Sequence, residues 1–224
     1  MKLRQLFEQD IDLESVNIAA RIARDCQPFL KQSGFDPSDA GTGIFRGQDR
    51  IPNLFRKFQS RARKPVDSAD DIHDALDNAL NELTGIKYRS HGVFATGDKR
   101  EASSYGKACM FFPIGDFKFC WSPIIEDAYT VFDSGFNHHE PSSVTRGYIK
   151  ASYANDREEY VNELEDFISS GRAGYRTDNL PVSRDKKHEI MFSCKEYYLL
   201  DYAGSRDPNH EPFKLVMQEL EKLL

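Results

Sequence analysis

Four short apolar runs, dense in aromatic residues, decide what this chain can fold into. They are Cys109-Met110-Phe111-Phe112, Phe117-Lys118-Phe119-Cys120-Trp121, Glu189-Ile190-Met191-Phe192 and Tyr197-Tyr198-Leu199-Leu200. Each has the length and aromatic content of a strand, and within each pair only a few residues intervene. The first pair flanks Pro113-Ile114-Gly115-Asp116 and is expected to form a hairpin. Gly92-Val93-Phe94-Ala95-Thr96 reads as a buried strand and Ile44-Phe45-Arg46 as a short one. Strands and helices do not alternate as a βαβ series would, so the order predicts an α+β fold of mostly antiparallel strands.

Helical spacing marks the rest. Ile11, Ile18, Ile22 and Phe29 predict one or two helices over residues 10–33, interrupted near the end by Pro28. After the Asp39–Gly43 turn and the short strand, residues 47–66 read as loop. Ser68 is placed to cap a helix whose buried stripe is Ile72, Leu76, Leu80 and Leu83, ended by Gly85. A short helix is expected over Lys99 to Tyr105, and an acidic amphipathic one over 155–168. Gly171 to Arg184 reads as a surface loop, and Pro212 to Leu224 as a helix carrying Leu215, Val216, Leu220 and Leu223. The chain is taken as one domain, 1–224, with a helical segment at 1–38, a core at 40–202 and a C-terminal helix at 211–224.

Composition excludes several classes. Sixteen Phe, ten Tyr and a 39% hydrophobic content argue against disorder. No run has the length of a membrane helix, and the first residues lack a signal-peptide pattern, so a soluble cytoplasmic protein is expected, with no membrane partner. Cys26, Cys109, Cys120 and Cys194 form no CxxC pair and are read as buried, reduced thiols. A net charge of -6 argues against a general nucleic-acid binder. Even so, Arg46, Arg50, Arg56, Lys57, Arg61, Arg63 and Lys64 face the single acid Asp49 over that stretch. Either this is a solvated loop balanced by the acids from Asp67 to Asp77, or it is a surface that attracts a polyanion.

Candidate metal and nucleotide motifs are weak on spacing. Gly41-Thr42-Gly43-Ile44-Phe45-Arg46-Gly47 has its third glycine one residue late for a dinucleotide fingerprint, and no helix opens there. His138-His139-Glu140 offers adjacent histidines with no third ligand at a useful spacing, and Asp70, Asp71 and Asp74 read as a solvated helix start. No metal site is expected.

Three segments taken in order carry a resemblance. Phe45-Arg46-Gly47 follows the N-terminal helix. Val93-Phe94-Ala95-Thr96-Gly97-Asp98 leads to Ala102-Ser103-Ser104-Tyr105-Gly106. Glu189-Ile190-Met191-Phe192 precedes Tyr197-Tyr198-Leu199-Leu200. This resembles the Arg–Ser/Thr–Glu pattern of the ADP-ribosyltransferase superfamily, whose phage-encoded members modify host proteins. Phe45-Arg46-Gly47-Gln48 also resembles the Phe-Arg-Gly domains. The resemblance spans residues 40 to 202. It implies an α+β split sheet or sandwich of mostly antiparallel strands with N- and C-terminal helices. The implied activity is cleavage of NAD at the nicotinamide–ribose bond, with NAD as substrate and no metal. ADP-ribose then passes to a host macromolecule, protein or nucleic acid, as in a phage host-takeover factor or toxin. An NAD glycohydrolase or a catalytically silent nucleotide- or partner-binding module on the same fold are the alternatives.

The chemistry explains the residue types. Losing nicotinamide develops oxocarbenium character, which a carboxylate stabilises more in the transition state than in the ground state. The resemblance gives that role to Glu189, with Glu196 in Lys195-Glu196-Tyr197-Tyr198 as second candidate. It gives the orienting hydroxyl to Thr96 and the pyrophosphate fork to Arg46. Gly47, Phe94, Ala95, Thr96, Tyr105 and His91 line the expected nicotinamide side. Transferases acting on arginine carry a second Glu two residues before the catalytic one; here that residue is Lys187, which leaves the acceptor open. Each residue also has a plainer reading: Thr96 as a helix cap, Glu189 as a surface acid paired with Lys187, Gly47 as a turn.

Overall fold

The computed structural model describes residues 2–49, 53–62, 69–132, 149–150, 155–202 and 211–224, with backbone alone for residues 2–12. In chain order its elements begin with α1 Lys2–Asp25, α2 Gln27–Ser33, β1 Phe45–Gln48, β2 Phe55–Gln59, α3 Asp70–Thr84, α4 Tyr88–His91 and β3 Val93–Thr96. There follow α5 Lys99–Ser104, β4 Lys107–Pro113, β5 Lys118–Trp121, α6 Ala128–Phe132, α7 Arg157–Ser169, α8 Leu180–Lys186, β6 Glu189–Ser193, β7 Glu196–Asp201 and α9 Glu211–Leu223. Helix and strand are mixed, and the strand pairings below are antiparallel, as the order of the apolar runs predicts. The contacts divide the chain into two compact units. One is Met1–Gln59, Ala95–Phe117 and Cys194–Leu224; the other is Ser60–Phe94 and Lys118–Ser193.

The first unit is built on β4, a strand of seven residues of which six are buried. A strand buried on both faces reads as a continuous apolar run, which is why Ala108 to Phe112 shows no alternation. Antiparallel neighbours flank it on both sides, β7 at Phe111↔Leu199 and β1 at Arg46↔Cys109, and β2 pairs beyond β7 at Lys57↔Tyr198. The Phe29 ring of α2 meets Phe111, Phe112 and Phe117 edge-on, with centroids 6.5, 6.0 and 5.8 Å away. Pro28 opens α2 rather than interrupting a helix, since its missing N–H costs nothing in a first turn. α1 lies along α9, and Phe213 of α9 packs edge-on against Tyr202.

The second unit pairs helices instead. Ile72, Leu76 and Leu80 of α3 share a buried cluster with Tyr160, Leu164, Phe167 and Ile168 of α7. Beside it β5 and β6 pair, with Trp121 opposite Ile190. Trp121 is fully buried and its indole N–H donates to the Asp178 carbonyl at 2.8 Å, so its one polar group is satisfied.

Four expectations are corrected. β4 and β5 do not form a hairpin. The turn between them is pinned instead within the first unit, where Ile114 N donates to the Glu196 carbonyl and Gly115 N to that of Asp25. Residues 47–66 contain a strand, β2. It carries exposed Arg56 and Lys57 because its outer edge needs no apolar cover, and this made it read as loop. Residues 171–184 contain most of α8, opened by Pro181 in its first turn. Helix α3 has Ala69 at its N-cap with no side-chain cap, while Ser68 lies outside the described residues. Among the described residues no helix is long and apolar enough to cross a membrane.

Phe29 is 1% exposed between three rings. Replacing it with Ala leaves a cavity and is expected to cost about 3–5 kcal/mol in urea unfolding. A loss below about 1 kcal/mol would show that α2 is not anchored this way.

Candidate active site

Glu189 opens β6 in the second unit, where its N–H donates to the Glu126 carbonyl at 2.7 Å. Its carboxylate faces Arg89, whose Nη1 lies 3.4 Å from each oxygen. The side chains are 8% and 15% exposed, so the pair sits largely out of water. The Arg89 guanidinium also lies 4.9 Å from the centre of the Phe94 ring, a cation–π contact.

What puts Arg89 there is Asp77. This buried carboxylate on α3 accepts from Arg89 N at 2.8 Å, from Ser90 N and from the Ser90 hydroxyl. It thereby satisfies amides at the start of α4 that a helix leaves unpaired. Because the Ser90 proton goes to Asp77, the Ser90 oxygen accepts from Nδ1 of exposed His91, 2.8 Å away. Gly92 ends α4 where a side chain would not fit: a Cβ would fall 2.2 Å from the Tyr88 carbonyl and 3.3 Å from that of Phe192.

Neutral groups surround the pair. Burial, then the Glu189 carboxylate, raises the Tyr175 phenol well above its usual range. The same two causes push the Cys120 thiol up to about 12. Both therefore stay protonated beside Glu189. His188 is held by the Ser122 carbonyl at 2.8 Å from Nδ1. Lys187 caps α8 in a left-handed conformation, φ 63°, so the position two before Glu189 is not on the strand.

The other sequence candidates lie in the first unit. Arg46 stands on β1 opposite Cys109, and Phe45 pairs with Thr96, so Arg46 and Thr96 occupy neighbouring strands. Thr96 is 7% exposed, and its hydroxyl accepts from Asp98 N at 3.0 Å; the cap of α5 is Asp98, which accepts from Arg100 N. Thr96 thus sets the turn without being the cap. A Cβ on Gly47 would lie 2.2 Å from the Ala102 carbonyl and 2.7 Å from Tyr105 Cβ, so its bareness lets α5 rest directly on β1. Ala95 is buried and Tyr105 is 56% exposed. Glu196 lies on β7 with Lys57 at 2.7 Å, its side chain 31% exposed.

Within the second unit, then, Glu189 and Phe94 meet through Arg89, and His91 closes the same short helix. Sequence reasoning missed Arg89, Asp77 and Tyr175. A four-residue helix has no periodicity to reveal it, and the Asp77 contact closes a gap of twelve residues. His138, His139, Glu140, Arg50, Arg63 and Lys64 lie outside the described residues. None of the four cysteines is in a disulfide; Cys26, Cys109 and Cys120 are buried and Cys194 is half-buried. Comparison with protein-family models, curated proteins and solved structures finds no match.

Arg89→Met strands the buried Glu189 charge and is expected to destabilise the protein by about 3–5 kcal/mol, whereas Arg89→Met with Glu189→Gln recovers most of that loss. Chemical denaturation of the four proteins measures the coupling. Strictly additive losses would mean that the two side chains do not interact.

Proposed function

We propose that this chain is an NAD-dependent ADP-ribosyltransferase on an ADP-ribosyltransferase-like fold, with Glu189 as its catalytic carboxylate. The observation that carries the reading is the state of Glu189. It is a largely buried carboxylate, held by a cation that is itself held by a ring and by a capped helix. Contacts of 3.4 Å to both oxygens are long for charge-assisted hydrogen bonds, which are usually about 2.7–2.9 Å. Arg89 therefore lies against both oxygens of the carboxylate and orients it. A fixed anion away from bulk water is the group that stabilises positive charge developing on the ribose as nicotinamide departs.

Glu196 suits the role less well. Its partner Lys57 is close, at 2.7 Å, and both side chains are open to solvent, where the field of a carboxylate is screened. On this reading Phe94 is engaged by Arg89 instead of stacking on nicotinamide. The acceptor is a macromolecule, protein or nucleic acid. Water as acceptor would make the same site a glycohydrolase.

Incubation with labelled NAD and a cell lysate, reading released nicotinamide and label on macromolecules, tests this. Glu189→Gln is expected to lose about 100- to 1,000-fold in nicotinamide release, since it removes a charge needed mainly in the transition state, with circular dichroism confirming that the destabilised variant is folded at the assay temperature. Glu196→Gln should retain most activity. The reverse pattern would move the catalytic carboxylate to β7, and no release by the unaltered protein would end the enzyme reading. Neutralising Arg56 and Arg61 together should weaken transfer to a polyanionic acceptor and spare hydrolysis. Equal loss of both would exclude a recruiting role for these bases.

A further inference from the structure

The first unit ends at an open sheet edge. In the strand order β2 comes last, so among the described residues no strand pairs with its outer side. The Leu54 carbonyl accepts from Asp201 N at 2.8 Å. Alternate residues of an antiparallel ladder turn their N–H and C=O toward the same neighbour. Leu54, Arg56 and Phe58 therefore bond toward β7, and Phe55, Lys57 and Gln59 turn theirs outward. Each of these offers a donor and an acceptor to the outer side, which is the template an added strand needs.

Side chains decide which strand fits. Arg56 and Lys57 are exposed, and Phe55 and Phe58 on either side of them are half-buried. Phe55 and Lys57 share one face, Arg56 and Phe58 the other. Phe58 stacks on Tyr197 with centroids 5.5 Å apart, and the Arg56 guanidinium lies 5.2 Å from the Phe58 centre. Phe55 leans on Tyr198 at 4.6 Å. Both rings are thus held by β7 with part of their area uncovered. The strand itself carries no acid, and Glu196 of β7 meets Lys57 at 2.7 Å. Charge on an edge strand is an ordinary guard against edge-to-edge pairing, which accounts for Arg56 and Lys57. It also speaks against a second copy as occupant, since two β2 strands paired about these residues set cation against cation. A guard alone does not account for two half-exposed rings bracketing the charges, because apolar area at an edge favours pairing.

We propose that β2 is a docking edge for an extended acidic segment of a partner protein. The segment adds as a strand, with adjacent acids opposite Arg56 and Lys57 and an apolar side chain opposite each of Phe55 and Phe58. Backbone bonds to Phe55, Lys57 and Gln59 supply the alignment, and the order apolar, acid, acid, apolar supplies the choice of partner. This goes beyond the transferase reading and does not rest on it, and the binding test contains no NAD.

Fluorescence anisotropy with a labelled peptide, Thr-Thr-Val-Glu-Glu-Val-Thr-Thr, tests the edge on the full chain. Binding is expected below about 1 mM, and Arg56→Glu should weaken it about tenfold by setting like charges opposite. A peptide with Lys-Lys in place of Glu-Glu should bind the unaltered protein poorly and gain on Arg56→Glu. Methylating the amide nitrogens of alternate peptide residues separates strand addition from plain charge attraction. One alternate set should abolish binding and the other be tolerated, because only one set faces β2. This readout uses the unaltered protein, so it stays decisive if Arg56→Glu fails to fold in a thermal melt. No binding up to about 1 mM, equal effects of the two methylated sets, or an unchanged affinity in folded Arg56→Glu overturns the docking edge. So does tighter binding of an oligouridine of matching charge, which would make the surface one for nucleic acid.

Discussion

Asp77 stands on α3, 3% exposed, and gives its oxygens to two amides and a hydroxyl at the start of α4. A buried carboxylate without such donors would be costly, and a four-residue helix without such acceptors would not persist. Each requirement meets the other. Once α4 is fixed, Arg89 has one direction to point, onto Phe94 and Glu189, and Gly92 brings the chain out against the Phe192 carbonyl. The orientation of the candidate carboxylate therefore depends on a hydrogen-bond cluster that itself does not touch Glu189.

The first unit solves a different problem. Its central strand β4 is buried throughout after Lys107, so polar groups on its neighbours must be paired or pushed to the margins. Arg46, Lys107 and Asp201 are gathered around Cys109 for that reason. The Arg21 guanidinium lies 5.1 and 5.0 Å from the Phe55 and Tyr198 ring centres, and Tyr198 donates its hydroxyl to Asp25 at 2.7 Å. Gly47 and Gly106 let α5 come close to β1. Gly106 adopts φ +125°, where a side chain would be strained, and a Cβ there would strike the Gln48 backbone at 2.7 Å.

The two candidate carboxylates show how environment separates identical groups. Glu189 makes a long, buried contact with Arg89, near a phenol and a thiol that stay neutral. Glu196 shares its charge with a close, solvated lysine. A field directed at a substrate survives in the first setting and is screened in the second.

Much of the secondary structure was legible from sequence. The apolar runs at 92–96, 109–112, 117–121, 189–192 and 197–200 each give a strand, two of them one residue shorter than the run. Of the stripe Ile72, Leu76, Leu80 and Leu83 the first three are buried in α3 while Leu83 is 37% exposed at its end, because burial imposes a period that residue types must follow. Order and type made Arg46, Thr96 and Glu189 candidates, and the structure sets them on β1, β3 and β6. What sequence could not supply was partner choice. The turn at Pro113 to Asp116 looks like a hairpin, yet β4 pairs with β1 and β7, and β5 with β6, because pairing is decided by distant segments competing for the same edge. The same holds for polar contacts. Asp77 with α4, Arg89 with Glu189, and Lys107 with Asp201 are contacts across 12, 100 and 94 residues. Local pattern determines which face of an element is apolar; only the tertiary structure decides which charge meets which, since that depends on burial and on what the rest of the chain leaves unpaired.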